Sequence, residues 1–432
     1  MGIKATGKRF ARKFKSLSLY RERELPGSYN PNPTLLCELP LEILEMVASS
    51  LQLADLGALR VICKSIHGKT SSIFWKRSLQ SVKTDLSHAS LGELEKISRD
   101  AQLRHYVNQM VLTGFDQWFE ILGGGYQWGS YRHQSGHLVN LQEHPAVKRL
   151  LSILCQLVNC KSFEIFACRT EVEFNNDNFR PTDSITTLLD IIAKAKLPVT
   201  AFTVNFMGNE FGYAPDPQRL QTSDKGQFVA IGQHLEDLTL RYTLEHDIVR
   251  DWTINMILHA PKLRVLDIRN QAMKGGTELI HCLASANISW SQLREFKIES
   301  IPASLEDLMI ILKTCQHSLR VLRINMMRVN ADLKDVKRML QTLSTSFPAL
   351  ESVSFGGLML GVQTRTDFIH FPMVSENPCV DESQGTKFEF ASNTARGSRN
   401  HYVAYSGPKM DVALDILART VDCAPARIRT LA

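Results

Sequence analysis

The segment Leu263-Arg-Val-Leu-Asp-Ile268 is one of eight copies of a hexad pattern between residues 107 and 355. Every copy is apolar at positions 1, 4 and 6, and positions 4 and 6 flank a polar or variable residue, as a short strand requires. The other copies begin at Val107, Cys160, Val199, Leu235, Leu293, Leu319 and Leu350. The last five copies begin 26 to 31 residues apart, so the sequence predicts regularly spaced strands.

Helical segments fill the intervals between these hexads. Residues 305–315 and 332–343 each carry one apolar stripe with helical spacing, and Ile254 begins another. One strand and one helix every 26–31 residues is typical of a leucine-rich-repeat solenoid, in which neighbouring units stack because none buries its apolar side alone. We therefore predict an α/β fold with parallel strands inside and helices outside. An ordinary α/β sheet with crossover helices has the same local pattern and is the alternative.

The flanks of the repeats set the predicted domain boundaries. We expect a basic tail and linker over 1–33, a helical domain over 34–80, and the repeats over 81–374, with a loop insertion at 113–144. A polar linker over 375–386 then precedes a C-terminal cap over 387–432. In the cap, Lys387–Ala391 and His401–Tyr405 alternate like two strands, and Met410–Val421 has the pattern of an amphipathic helix.

The net charge of +6 resides in the N-terminal tail. Residues 1–33 hold eight basic and two acidic residues, which leaves equal numbers of basic and acidic residues in the rest of the 432-residue chain. The excess of basic residues is therefore a property of the tail. It does not predict that the rest of the chain binds nucleic acid. No run of about 18 apolar residues occurs, and the N-terminus lacks the apolar stretch of a secretory signal.

The apolar segment from Leu35 to about Leu79 predicts a small bundle of three short helices. Pro40 suits the first turn of a helix, because its missing N–H has no partner there. The apolar residues that follow share one side of that helix: Ile43, Leu44, Val47 and Leu51. We expect a core too small to be stable alone, which a partner or the next domain completes.

The second and third helices follow directly. Asp55 is a candidate cap for the second helix, in which Leu56 and Leu59 face inward and Arg60 faces outward. The third helix carries Ile73, Phe74 and Trp75. Any three-helix bundle could share these features.

The ordered matches Leu39-Pro40-Leu41-Glu42-Ile43-Leu44, Asp55-Leu56, Cys63-Lys64 and Phe74-Trp75 resemble the F-box. They cover about 45 residues, a tenth of the chain. The resemblance implies that this segment docks on a Skp-type adaptor, which links it to a cullin–RING ubiquitin ligase. The adaptor-binding residues that the resemblance implies are Leu39, Pro40, Ile43, Leu44, Leu56, Val61 and Trp75.

The repeats are similar to those of F-box proteins with divergent leucine-rich repeats of the fungal type. Typical leucine-rich repeats place asparagine or cysteine near position 9 of the pattern, to satisfy backbone groups at the turn. The corresponding residues in this chain are Thr243, Gln271, Ile301, Met327 and Leu358, so we expect an irregular solenoid.

A concave parallel sheet exposes the residues at position 5 and just after position 6. Their mixed charges suit a polar protein surface, although a solvated face without a partner would have the same composition. We therefore predict a target-binding surface formed by Arg241, Asp267, Arg269, Lys297, Glu299, Arg323 and Asn325.

The first six residues, Met1-Gly2-Ile3-Lys4-Ala5-Thr6, match the N-myristoylation pattern and make Gly2 a candidate acylation site. Basic residues with interleaved phenylalanines follow, and such a patch supplies the second signal that stable membrane anchoring needs. Residues 1–15 could therefore contact a membrane. A disordered tail or a nuclear-localisation patch fits the same residues.

We find no constellation for catalysis, metal binding or a cofactor. Gly123-Gly124-Gly125 lacks the lysine and the strand–helix setting of a phosphate loop, and His133 and His137 lack a third metal ligand nearby. The nine cysteines contain no Cys-x-x-Cys pair, and we expect reduced, mostly buried thiols.

The leading hypothesis is a non-catalytic subunit, the substrate receptor of an SCF-type cullin–RING ubiquitin ligase in the cytoplasm or nucleus. It would have no nucleic-acid partner. The alternative is a membrane-tethered or nuclear interaction scaffold that acts without ubiquitin.

Overall fold

The computed structural model describes residues 34–113, 122–168, 179–207, 214–220, 225–271, 274–286, 288–361, 367–371, 388–392 and 400–425. The basic tail with Gly2, the polar linker and part of the predicted insertion lie outside these ranges. The chain forms two units, one of residues 1–127 and 142–162 and one of residues 128–141 and 163–432. The predicted helical domain, 34–80, belongs to the first unit.

The first unit begins with four helices: α1 (Thr34–Glu38), α2 (Leu41–Ser50), α3 (Leu53–Arg60) and α4 (Lys64–Leu79). Pro40 immediately precedes α2 in an extended conformation. Gln52 precedes α3, so Asp55 lies in its first turn and does not cap it, contrary to the sequence-based expectation. The third predicted helix is longer than expected, because α4 begins at Lys64, where the Cys63 sulfur accepts a hydrogen bond from the Ile66 N–H at 3.4 Å.

The rest of the first unit alternates strands and helices: β1 (Ser81–Thr84), α5 (His88–Arg99), β2 (Gln109–Thr113) and α6 (Pro145–Gln156). Strands β1 and β2 pair in parallel. Ser87 caps α5 by accepting a hydrogen bond from the Ser90 N–H at 3.1 Å. Arg149 on α6 donates from Nε to the Glu95 carboxylate of α5 at 3.0 Å, which ties the two helices together.

The remaining strands and α-helices belong to the second unit, except that β3 begins at Ser162, the last residue of the first unit. In chain order they are β3 (Ser162–Cys168), α7 (Pro181–Ala195), β4 (Ala201–Met207), α8 (Pro217–Leu220), α9 (Lys225–Gly232), β5 (Asp237–Arg241), α10 (Asp247–Leu258), β6 (Val265–Arg269), α11 (Gly276–Ser285), β7 (Glu295–Glu299), β8 (Ala303–Ser304), α12 (Leu305–Thr314), β9 (Val321–Asn325), β10 (Arg328–Asn330), α13 (Leu333–Ser346), β11 (Ser352–Gly356), β12 (Met359–Leu360), β13 (Asp367–His370), β14 (Phe388–Ser392), β15 (Asn400–Ser406), α14 (Met410–Thr420) and β16 (Asp422–Pro425).

A large sheet of order β3-β4-β5-β6-β7-β9-β11-β15-β14 dominates this unit, and the α/β prediction is confirmed. From β4 to β11 the strands are parallel and in register, so position 4 of each hexad faces position 4 of the next. These side chains are all buried, as are those at position 6. The position 4 row is Phe202, Leu238, Leu266, Phe296, Leu322 and Val353, and the position 6 row is Val204, Leu240, Ile268, Ile298, Ile324 and Phe355.

A second, smaller sheet forms just after the hexads, in the order β16-β13-β12-β10-β8. Its strands β8, β10 and β12 follow β7, β9 and β11, and they pair in parallel with one another. Position 9 of these repeats holds Ile301, Met327 and Leu358, which are buried apolar side chains. In these three repeats position 9 holds no asparagine. The pairing between the short strands therefore supplies the backbone hydrogen bonds at the turn.

Asn270 serves one of the earlier turns, one residue before position 9. Its side chain is buried, accepts a hydrogen bond from the Leu244 N–H at 3.2 Å and donates one to the Lys274 carbonyl at 2.9 Å. A single amide thus satisfies backbone groups of two successive repeats.

The two strands and the helix expected over Lys387–Ala391, His401–Tyr405 and Met410–Val421 correspond within one residue to β14, β15 and α14. Strand β15 pairs antiparallel with β11, and β14 pairs antiparallel with β15. Helix α14 packs against α13. The parallel series therefore ends in a returning strand and a helix.

A buried ion cluster attaches part of the predicted insertion to the second unit. Asp183, in the first turn of α7, is fully buried and accepts hydrogen bonds from Arg132 Nη2 at 3.1 Å and Arg219 Nη1 at 2.6 Å. Trp128 packs on Phe179, with 4.1 Å between ring centroids. Residues 128–132 are therefore anchored, although the sequence predicted only a loop there.

No helix in the described ranges is long and apolar enough to cross a membrane.

The end of α9 predicts a strict requirement for glycine. A Cβ atom on Gly232 would lie 1.8 Å from the carbonyl oxygen of His259, so we expect Gly232→Ala to lower the free energy of unfolding by about 1–3 kcal/mol. Gly68 in α4 has no atom within 4 Å of a built Cβ, so Gly68→Ala is the matched control and should stabilise slightly. Urea unfolding of both variants checks this, and an unchanged midpoint for Gly232→Ala would contradict it.

His144 predicts a pH-dependent stability. It precedes α6, its Nδ1 accepts a hydrogen bond from the Ala146 N–H at 3.2 Å, and burial lowers its pKa to about 4. The unfolded chain binds the proton near pH 6.5, so stability should fall as the pH drops from about 6.5 to about 4. His144→Asn keeps a capping side chain and should flatten this dependence in urea midpoints between pH 7 and pH 4.5. Equal slopes for the two proteins would refute the assignment.

Candidate functional site

The four N-terminal helices enclose a small core. Ala48 of α2, Leu56 of α3 and Phe74 of α4 form a buried cluster, with Leu51, Leu59, Ile73 and Trp75 packed around it. Leu44 and Ile66 are also fully buried. The inner sides of α2, α3 and α4 are therefore occupied by contacts within the first unit.

Helix α2 is nevertheless apolar on a second side. Leu44 and Ala48 point into the core, whereas Ile43, Met46 and Val47 are exposed, and Met46 retains 70% of its accessible surface. Ile43, Met46 and Val47 have the spacing of neighbours on one helix face. A surface helix normally has a single apolar stripe, so the second stripe suits contact with another polypeptide.

The exposed apolar side chains concentrate in this part of the chain. Of twelve large apolar residues that are exposed in the described ranges, seven lie between residues 41 and 62. We call these seven the apolar face: Leu41, Ile43, Met46, Val47, Leu53, Val61 and Ile62. Scattered single exposures are normal in folded proteins, so the concentration of exposed apolar residues in one short segment makes that segment the candidate interaction site.

The predicted adaptor-binding residues are divided between surface and core. Pro40, Ile43 and Val61 are exposed, and Leu39 and Trp75 are half-buried. Leu44 and Leu56 are fully buried, so in this conformation neither offers a surface to a partner, and their prediction as contact residues is corrected. Adjacent residues on an α-helix point about 100° apart, so the core side of α2 includes Leu44 but not Ile43, which explains the error at Leu44.

Two basic side chains fix the ends of α2. Lys69 Nζ donates hydrogen bonds to the carbonyl oxygens of Cys37 at 2.9 Å and Leu39 at 3.0 Å, just before Pro40. Arg77 Nη1 donates to the carbonyls of Ala48, at 3.2 Å, and Leu51 at the other end. The carbonyls at the end of a helix lack intrahelical partners, so Arg77 is a C-terminal cap supplied by α4.

Arg60 lies inside the bundle, contrary to the prediction that it faces outward. Its guanidinium carbon is 3.8 Å from the centre of the Phe74 ring, and its Nη2 donates to Ser71 Oγ at 3.2 Å. Burial lowers the pKa of Arg60. A planar guanidinium can stack on an aromatic ring, so the bundle accommodates this charge although no acidic side chain in the described ranges pairs with it.

A second surface lies on the large sheet of the second unit. The seven predicted target-binding residues occupy two register rows, and we call them the charged face. One row is Arg241, Arg269, Glu299 and Asn325, and the other contains Asp267, Lys297 and Arg323. All seven are exposed or half-buried.

Most charges of the charged face are paired. Arg241 contacts Asp267 at 2.7 Å, and Arg269 contacts Glu299 at 3.2 Å. Lys297 contacts Glu295 on its own strand. Arg323 is exposed and has no ion pair within the described ranges, so it is the charge on this face that is most available to a ligand.

The histidines of the predicted insertion form a local cluster. Ser135 Oγ lies 2.7 Å from His133 Nδ1 and 2.8 Å from His137 Nδ1, and the two rings stack with centroids 4.8 Å apart. Burial and the neighbouring His133 lower the pKa of His137. Within the described residues, no group of three or more histidine, cysteine or acidic side chains is arranged to hold a metal ion.

Neither a protein-family model nor a curated protein matches this chain. The apolar face and the charged face are therefore the two features of the molecule that bear on its function.

The burial difference between Leu44 and Ile43 predicts different roles for these neighbours. Leu44→Ala should lower the free energy of unfolding of the first unit by about 2–5 kcal/mol, because it leaves a cavity in a closed core. Ile43→Ala should change it by less than about 0.5 kcal/mol, because Ile43 is already exposed. Chemical denaturation measures both, and a similar loss for the two variants would mean that Ile43 is also a core residue.

Proposed function

We propose that this protein is the substrate receptor of an SCF-type cullin–RING ubiquitin ligase. In this proposal, the apolar face binds a Skp-type adaptor and the charged face binds a protein target. The observation that carries the proposal is the exposed apolar stripe on α2, a helix whose opposite side already fills the core of its own bundle.

Burial of the apolar face supplies the driving force for adaptor binding. Fully burying a large aliphatic side chain contributes about 1.5–3 kcal/mol, and the residues of the apolar face are about half exposed. Seven such residues give a gross gain of several kcal/mol, which offsets the entropic cost of association. Leu44 and Leu56 act from within, because they hold α2 and α3 in position.

The order of the motifs supports the Skp-type adaptor as the partner. The Leu39-Pro40 pair lies directly before α2, the apolar residues Val61 and Ile62 directly follow α3, and Cys63-Lys64 begins α4. This order resembles the F-box, in which the leucine–proline opening and the apolar residues after it dock on the adaptor. Lys69 holds the backbone at the opening in a fixed position.

We further propose that the large sheet and its helices form an irregular leucine-rich-repeat solenoid. The in-register parallel strands and the helix between each pair support this assignment. The function of the solenoid is to hold a target, and on its charged face Arg323 is the charge most available to that target. The chain then promotes ubiquitin transfer by raising the effective concentration of the target at the ligase, without a catalytic group of its own.

Capture of a purified Skp-type adaptor by the full-length protein tests this proposal. Ile43→Glu and Val61→Glu should each weaken binding about tenfold or more, because they place a charge in an apolar interface. Ile310→Glu and Val412→Glu are matched controls, since both replace exposed apolar residues of the second unit and should leave binding unchanged. Far-ultraviolet circular dichroism should show that all four variants are folded.

Two outcomes would overturn the proposal. The first is that the wild-type protein retains no adaptor. The second is that all four glutamate variants bind as well as the wild type, which would place the adaptor elsewhere on the chain.

A further inference from the structure

Two cysteines that are 26 residues apart in the sequence meet at the N-terminal end of α4. The Sγ atom of Cys37, a residue of α1, lies 3.1 Å from the Sγ atom of Cys63. Cys63 is the residue that caps α4. Both side chains are half-buried, so a small reagent can reach them. Among the seven cysteines whose side chains the structure describes, no other pair of thiols is in contact.

We propose that Cys37 and Cys63 form a site of reversible oxidative modification, at which a hydroperoxide such as hydrogen peroxide converts the two thiols into a disulfide. The oxidation requires neither an adaptor nor a target, so the proposal does not rest on the proposed function. A covalent sulfur–sulfur bond is about 2.05 Å long, so the two atoms need to approach by about 1 Å. Helix α1 has only five residues, so a small shift of this helix can provide that approach.

The surroundings assign different roles to the two sulfurs. Cys63 Sγ accepts the Ile66 N–H at the start of a 16-residue helix, and this hydrogen bond lowers the pKa of Cys63. The hydrogen bond to Cys63 raises the pKa of Cys37, which is consistent with Cys37 as the donor. Cys63 is therefore the attacking thiolate and Cys37 the resolving thiol.

The reaction proceeds in two steps. The Cys63 thiolate attacks one oxygen of hydrogen peroxide, the O–O bond breaks, and the departing hydroxide takes up a proton to become water. The product is a sulfenic acid at Cys63. The Cys37 sulfur then attacks the sulfenic sulfur, the S–O bond breaks, and the proton of Cys37 leaves with the hydroxide as a second water. Two thiols are oxidised, and one peroxide is reduced to two waters.

The other described cysteines provide internal comparisons. Cys160 and Cys315 are buried, and burial raises the pKa of each to about 12, so they should be unreactive. Cys155 and Cys282 are exposed, contrary to the prediction of mostly buried thiols, but neither contacts another described thiol. They can be oxidised, but neither has a resolving partner within the described part of the chain.

The disulfide would lock the backbone on both sides of the apolar face. Cys37 lies three residues before Pro40, and Cys63 directly follows Ile62. A bond between them ties α1 to the first turn of α4 and reinforces the hydrogen bonds that Lys69 makes to the carbonyls of Cys37 and Leu39.

Peptide mapping of the full-length protein tests the proposal. Dilute wild-type protein is treated with a small excess of hydrogen peroxide, blocked with an alkylating reagent, digested and analysed by mass spectrometry. We expect a linked peptide pair containing Cys37 and Cys63, which is lost on treatment with dithiothreitol. Cys155→Ser, which removes an exposed thiol, is the matched control and should leave the linked pair unchanged.

Two serine variants test the assigned roles. In Cys37→Ser, oxidation should stop at a sulfenic acid on Cys63, which dimedone captures. In Cys63→Ser, the oxidation rate of Cys37 should fall about tenfold or more, because the low-pKa thiolate is gone. The proposal is overturned if Cys37 and Cys63 of the wild type stay fully alkylatable while Cys155 is oxidised, or if Cys63 links preferentially to another cysteine.

Discussion

The stacking of apolar side chains in register from β4 to β11 is the contact on which the second unit depends. Each hexad contributes one residue to the position 4 row and one to the position 6 row, and each row is continuous across six strands. A shift of one residue in any strand would bring its polar residues into the core. The register also determines which charges of the charged face become neighbours, such as Arg241 and Asp267. The buried rows thus fix both the fold and the arrangement of charges on the surface.

The strands could be predicted from the sequence because the alternation of apolar and polar residues is a local pattern. It can be recognised without knowing which strands pair. Residues at positions 4 and 6 are apolar in every copy, and the structure buries them all in the described strands. The second sheet was not predictable in the same way, since β8, β10 and β12 have only two or three residues each. The ion cluster at Asp183 was also missed, because Arg132 and Arg219 lie 51 and 36 residues away in sequence.

In the N-terminal helices, the sequence does not determine which side chains of the candidate site are exposed. These helices and the presence of an apolar surface follow from composition and spacing, but Ile43 and Leu44 are chemically equivalent neighbours with opposite fates. Only the packing of α2 against α3 and α4 decides which of them is exposed. Arg60 depends in the same way on the aromatic ring of Phe74, and the contact between Cys37 and Cys63 depends on the position of α1. Each of these contacts joins segments that no local pattern relates.

The order of strands in the large sheet has a consequence for biosynthesis. From β4 to β11, neighbours in the sheet are also successive copies of the hexad, so each new strand can dock on one that has already been made. A chain that emerges from the ribosome could therefore bury its apolar rows one strand at a time. Little apolar surface would then be exposed from which aggregation could start. The antiparallel strand β15 pairs with the free edge of β11 at a later stage, because it is translated after β11.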